Sequence, residues 1–196
     1  NFGPLFGATS DNWSYDDWYV NQNFSLTSYT NKISVSIDLP IAYDAVWGNI
    51  TKFSYDISGG QANPQSISNN EISSNPQIEF TVITSNLEGP DSSGESKYQK
   101  YTIDWHCKDN DNNSEENKSI TTIKIKDEYG PIFANSESEA IDNANTNASW
   151  TQIIDGYTDS SIPRNAFYEN DGSDEVFVTI IRPRAFDNVD GEISSL

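Results

Sequence analysis

Apolar and polar residues alternate with a period of two through most of this chain. Ile33, Val35, Ile37 and Leu39 are interleaved with Ser34, Ser36 and Asp38, and Ile78, Phe80 and Val82 repeat the spacing. Tyr101, Ile103, Trp105 and Cys107 share one face of a run whose other face carries Thr102, Asp104 and His106. Ile123 and Ile125 point one way, Lys124 and Lys126 the other. Successive strand side chains point to opposite faces, so each run predicts a half-buried β-strand. Residues 174–183 are apolar on both faces around Val176, Val178 and Ile180, as expected of a strand covered on both sides. Between the runs lie clusters of Gly, Pro, Asn, Asp and Ser at 58–65, 87–96, 108–117 and 169–175, which predict turns. Short strands at this spacing predict an all-β sandwich. Residues 136–150 are the best helix candidate, and their Asn content counts against one.

The pattern breaks at Gly130-Pro131, after the run ending at Asp127, and Ile132-Phe133 opens a new one. The predicted organisation is an extended amino-terminal segment over 1–30, a sandwich over 31–128 and a second body over 129–196. The first segment gathers Trp13, Tyr15, Trp18 and Tyr19 among acids and amides.

Charge narrows the partners. The formal net charge is −19 and the pI about 4.1. Such a surface repels nucleic acid and anionic membranes, because phosphate needs Lys and Arg partners. No stretch reaches the roughly 20 apolar residues of a membrane-spanning helix, so no membrane insertion is expected. Methionine is absent, from which a mature, processed product is expected. Cys107 is the one cysteine, so no disulfide forms within the chain, and its place on an apolar face reads as a small buried residue.

Two stretches resemble a known group of modules. Residues 98–131, YQKYTIDWHCKDNDNNSEENKSITTIKIKDEYGP, resemble the closing hairpin of bacterial Ig-like and hyalin-repeat (cadherin-like) extracellular modules. RAFDNVDGEISSL, residues 184–196, resembles a motif near the start of such a module. The Gly-Asn turn of the family is replaced here by a longer acidic one. The resemblance implies two tandem Ig-like β-sandwiches, the second expected to be incomplete because residues 131–196 lack the family's closing hairpin. Three resolutions are open: a piece of a longer chain, a nonstandard closure, or a strand supplied by another copy. The last has residues 1–30 donated to the open sheet of the next identical subunit, which propagates head to tail as a homopolymeric filament. The expected function is therefore a non-enzymatic, extracellular, glycosylated structural protein at the cell surface. Alternatives are a module of a longer adhesin or S-layer-like protein, and a carbohydrate-binding module.

Candidate chemistry is sparse. N-x-S/T sequons occur at Asn12, Asn23, Asn49, Asn112, Asn117 and Asn147, and covalent glycans are expected, with Asn112 and Asn117 on a predicted hairpin tip the best placed. Calcium is a candidate ligand, because alternating oxygen donors suit a hard cation. The candidates are Asp109 and Asp111 with Asn113 and Glu115, Asp187 and Asp190 with Glu192, the Asp171, Asp174, Glu175 turn, and Asp127 with Glu128 at the junction. Each also reads as a solvated acidic turn. No cofactor is required. His106 and Cys107 are neighbours on a strand, so they face apart and cannot form a dyad. Trp13, Tyr15, Trp18 and Tyr19 are candidate interface residues; with Trp47 they are also candidate sugar-stacking groups.

Overall fold

The computed structural model describes residues 2–60, 71–89, 97–134, 136–146 and 184–193. The protein is mostly β and falls into two compact units, Asn1–Glu128 and Tyr129–Leu196.

Unit 1 is built from β1 (Leu5–Phe6), β2 (Trp18–Leu26), β3 (Lys32–Ser36), β4 (Ala42–Asp44), β5 (Gly48–Asn49), β6 (Phe53–Gly59), β7 (Gln77–Thr81), β8 (Leu87–Glu88), β9 (Tyr98–Cys107) and β10 (Ser119–Asp127). The main sheet runs β2-β10-β9-β6, with β8 added at the start of β9. A second sheet pairs β3 with β7, and a third runs β1-β4-β5. The alternation read from the sequence sets the buried faces. Tyr101, Ile103, Trp105 and Cys107 are buried on β9, Ile123 and Ile125 on β10, and Ile78 and Phe80 on β7. The main sheet and the β3-β7 pair close on each other through Phe80 and Tyr101, whose rings lie 4.8 Å apart, and the Tyr101 hydroxyl donates to the Thr81 carbonyl. Trp105 sits at the centre against Phe53 and Tyr55, and its indole N–H donates to Thr121 Oγ1 at 3.0 Å. That bond satisfies the one polar atom of the largest buried side chain.

Residues 1–30, expected as an extended arm, are instead built into unit 1. β2 lies parallel to β10 in continuous register, from Trp18 opposite Ser119 to Leu26 opposite Asp127. β1 pairs with β4 further down the same unit. An edge strand offers unpaired N–H and C=O groups, and β2 satisfies those of β10 within its own chain.

Unit 2 contains β11 (Ile132–Phe133), α1 (Glu137–Asn145), β12 (Ala185–Asp187) and β13 (Gly191–Glu192), with sheet order β11-β12-β13. The helix forms despite its Asn content because Ser136 caps it: its side chain accepts the Glu139 N–H at 3.2 Å, and Glu137 and Glu139 place charge in the first turn. Ala140 is its buried contact residue. The strand expected over 174–183 lies outside the described residues.

Candidate functional site

Two features organise the residues singled out by the sequence. The first is the loop between β9 and β10. Asn117 ends it, buried to 6% exposure. Its Oδ1 accepts the Phe6 N–H at 2.7 Å, and its Nδ2 donates to Phe6 O at 3.1 Å and Asp16 O at 2.6 Å. One amide therefore pins β1 and the start of β2 to the end of the β9–β10 loop. Around it, Glu116 Oε1 accepts the Gly3 N–H and Asp17 Oδ1 accepts the Lys118 N–H. The longer acidic turn thus grips the amino-terminal segment. This corrects the expected glycosylation at Asn117: the nitrogen that would carry the sugar is spent inside the fold. Asn112, at φ 64°, is exposed on the same loop, as are Asn12, Asn23 and Asn49 in their own segments. Asn147 lies outside the described residues.

Asp109 and Asp187 shape the backbone of their own turns. Asp109 Oδ1 accepts the N–H groups of Asp111 and Asn113, and its Oδ2 accepts Asn113 Nδ2. Burial opposes the charge on Asp109, but these donors prevail and hold its carboxyl below the usual range. Asp187 Oδ1 accepts the N–H groups of Val189 and Asp190. Asp127 closes β10, at the opposite end of that strand from the Asp109 loop. Among the described residues, no group of three or more His, Cys, Asp and Glu is arranged to hold a metal ion. Asp171, Asp174 and Glu175 lie outside them.

The second feature is a hairpin that occurs twice. In unit 1, β4 and β5 are joined by a turn in which Asp44 Oδ1 accepts Val46 N–H and Trp47 N–H, both at 2.8 Å, and Gly48 follows at φ +78°. In unit 2, β12 and β13 are joined by the Asp187 turn, with donors at 2.8 and 2.9 Å and Gly191 at φ +69°. Glycine takes that conformation at the least cost, having no β-carbon. The registers coincide: Tyr43 faces Asn49 as Phe186 faces Glu192, and Leu5 faces Tyr43 as Ile132 faces Phe186. Ile50 N–H donates to Ala42 O at 2.9 Å, and Ile193 N–H donates to Ala185 O at 2.9 Å. The sequences agree as well. Gly3-Pro4-Leu5-Phe6 matches Gly130-Pro131-Ile132-Phe133, and residues 33–50 align without a gap on 176–193, sharing among others Pro40/Pro183, Ala42/Ala185, Asp44/Asp187, Val46/Val189 and Gly48/Gly191. Sequence reasoning noticed only the second copy, and comparing the chain with itself would have found the first.

Two of the interface candidates, Trp13 and Trp18, pack at the first copy. Trp18 covers Gly7, where a side-chain carbon would meet the indole at 2.3 Å. Trp13 packs edge-on against Tyr43, with centroids 5.4 Å apart, and remains exposed. Tyr15 and Tyr19 are exposed, and the Tyr19 hydroxyl donates to Asp17 Oδ2 at 3.0 Å.

An open cleft of about 530 Å3 lies beside β6 and β9, lined by Lys52, Ser54, Glu71, His106, Cys107 and Glu115 among others. His106 Nδ1 lies 2.9 Å from Glu115 Oε1, and Nε2 lies 3.3 Å from Asp56 Oδ2. Burial alone would lower the imidazole pKa, but the Glu115 hydrogen bond and charge, with Asp104 and Asp56, outweigh it and raise it. Burial drives the Cys107 thiol far above its ordinary value, and the Glu115 charge adds to this. The thiol is therefore held protonated, and only the thiolate is a nucleophile. The imidazole faces acceptors on both nitrogens, so this cluster ties a loop to two strands.

Among the described residues no helix is long and apolar enough to cross a membrane. No protein-family model matches the chain, and no curated protein or solved structure is significantly similar to it.

Proposed function

We propose that this chain is a non-enzymatic structural protein of an extracellular surface, made of tandem Ig-like modules and serving as a segment of a glycosylated filament or stalk. The observation that carries the reading is the recurrence of one hairpin, with the same register, aspartate cap and positive-φ glycine, in two separate units. Repetition of a module along a chain spaces and stiffens; catalysis gives no reason for it. The strand order of unit 1 supports an Ig-like assignment. β3 beside β7, and β6-β9-β10 in sequence, reproduce the B·E and C-F-G neighbours of an immunoglobulin sandwich. The net charge of −19 suits an exterior kept hydrated and apart from other anions. Negative-stain microscopy of native material tests the reading directly: fibres or rods of regular repeat support it, and uniform compact particles refute it.

A strand-exchange filament is the second reading, favoured by one observation: β2 is an edge strand with β10 as its paired neighbour. Exchange would move β2 from β10 of its own subunit to β10 of the next, in the same register. Asn21 lies opposite Thr122 in that register. Mixing an Asn21→Cys protein with a Thr122→Cys protein forms disulfide-linked pairs under exchange. Linkage only within the double variant rules exchange out. The buried Cys107 does not interfere.

A further inference from the structure

Because the hairpin is built twice, one copy shows which surface residues the fold needs in the other. In unit 2 the hairpin face is polar. Arg184 Nε and Nη2 donate to Glu192 Oε1 and Oε2 at 2.7 and 2.8 Å, and the guanidinium covers the Phe186 ring at 5.1 Å. The turn carries Asp190. In unit 1 the equivalent positions are Ile41 for Arg184, Tyr43 for Phe186, Trp47 for Asp190 and Asn49 for Glu192. Ile41 is 55% exposed, Val46 76% and Trp47 45%, and Trp13 extends the surface through Tyr43. At the places of Ile41 and Trp47 the same backbone carries Arg184 and Asp190 in unit 2, so the exposed Trp47 ring answers to something other than folding.

What covers them is indicated by the residue that replaces Glu192. Asn49 opens the sequon Asn49-Ile50-Thr51. The bond from Ile50 N–H to Ala42 O makes Tyr43 and Asn49 a non-hydrogen-bonded pair, whose α-carbons approach to roughly 4.5 Å with both side chains on one face. Asn49 is exposed, unlike Asn117. In unit 2 both the sequon and the aromatic side chain of the turn are missing, and a charged clamp covers the ring instead.

We propose that Asn49 carries an N-linked glycan whose first sugar rests on a shelf made by Tyr43, Trp13 and Trp47. This deepens the extracellular reading above and rests on it. In the modification, Asn49 Nδ2 attacks the anomeric carbon of a lipid pyrophosphate-linked sugar. The new C–N bond replaces the C–O bond to pyrophosphate, the amide loses one proton, and the lipid pyrophosphate leaves. The axial C–H face of the sugar then packs on the electron-rich rings, shielding apolar surface that would otherwise meet water.

The test is glycopeptide mass spectrometry on the full chain secreted from a eukaryotic host, followed by melting. Two variants accompany it: Thr51→Ala, which removes the sequon, and Trp47→Asp, which installs the unit 2 residue and keeps the sequon. Asn49 is expected to be occupied in most molecules. Thr51→Ala is expected to lower the melting temperature by roughly 2–4 °C, the shift of about 1 kcal/mol in a chain of this size. In the Trp47→Asp background the loss from Thr51→Ala shrinks to less than half. An empty Asn49 beside occupied Asn12, Asn23 or Asn112 overturns the shelf and leaves the extracellular reading standing. An unchanged loss in the Trp47→Asp background also overturns it, since the sugar would then lie elsewhere. Six empty sequons overturn both the shelf and the glycoprotein reading.

Discussion

The β4–β5 and β12–β13 hairpins have one backbone and two surfaces. An aspartate accepting two turn N–H groups and a glycine at positive φ recur in both. Around these, Ile41, Trp47 and Asn49 in one copy give way to Arg184, Asp190 and Glu192 in the other. The shared aspartate and glycine shape the turn by side chain and by φ, whereas the side chains at the three divergent positions accept none of the turn's N–H groups. The comparison therefore separates what makes the hairpin from what distinguishes each copy of it. The first hairpin also has an anchor. The first hairpin belongs to a body locked by Asn117, which ties Phe6 and Asp16 to the β9–β10 loop.

The largest expected effect comes from breaking that anchor. Asn117→Ala leaves the Phe6 N–H and two carbonyls without their buried partner, at a cost of about 2–4 kcal/mol. Denaturant unfolding should show this loss in the transition of unit 1 and leave that of unit 2 in place. Next, Asp44→Ala and Asp187→Ala each strip the partner from two turn N–H groups and should cost about 1–2 kcal/mol apiece. Equal costs sharpen the equivalence of the hairpins, and a silent Asp187 variant breaks it. Gly48→Ala and Gly191→Ala should each cost about 1 kcal/mol in the same assay. Nothing lies within 4 Å of a side-chain carbon added at either glycine, so backbone strain is the whole effect and should match between units.

The smallest effect concerns His106, a feature of unit 1 alone. Its folded pKa is raised above the unfolded value of about 6.5. A raised pKa means that the protonated ring stabilises the fold. The contribution is full below about pH 6.5 and is lost as pH climbs through the folded pKa. Because the ring is 40% exposed, solvent screening keeps it below about 1 kcal/mol. Unit 1 should melt slightly lower at pH 8 than at pH 6, and His106→Gln should flatten that slope.

The strands were legible because each central one has a single buried face, and the two-residue period writes that face into the sequence. Ile123 and Ile125, or Trp105 and Cys107, show it plainly. β2 was not legible: Trp18 and Tyr19 are exposed, so its alternation is faint, and its place is set by a distant partner, β10. The role of Asn117 was hidden for a related reason. Its sequon reads the same whether the amide meets solvent or, as here, the backbone of a segment about a hundred residues away. The helix was hinted at by Ser136 followed by Glu137 and Glu139, a capping signal outweighed on composition by Asn. The acidic turns were open in the sequence to two readings, calcium candidate and plain acidic turn, because carboxylates serve cations and backbone N–H groups alike; at Asp109 and Asp187 the carboxylates accept backbone N–H groups of their own turns.

Residue-resolved amide hydrogen exchange on the full chain tests the repeated hairpin most directly. The amides of Val46, Trp47 and Ile50 in unit 1, and of Val189, Asp190 and Ile193 in unit 2, are all engaged in the same bonds. Two matching protected triplets, with the unprotected neighbours falling at the same positions, are the predicted result. Protection in the first triplet together with free exchange in the second would contradict the claim that one hairpin is built twice in this chain.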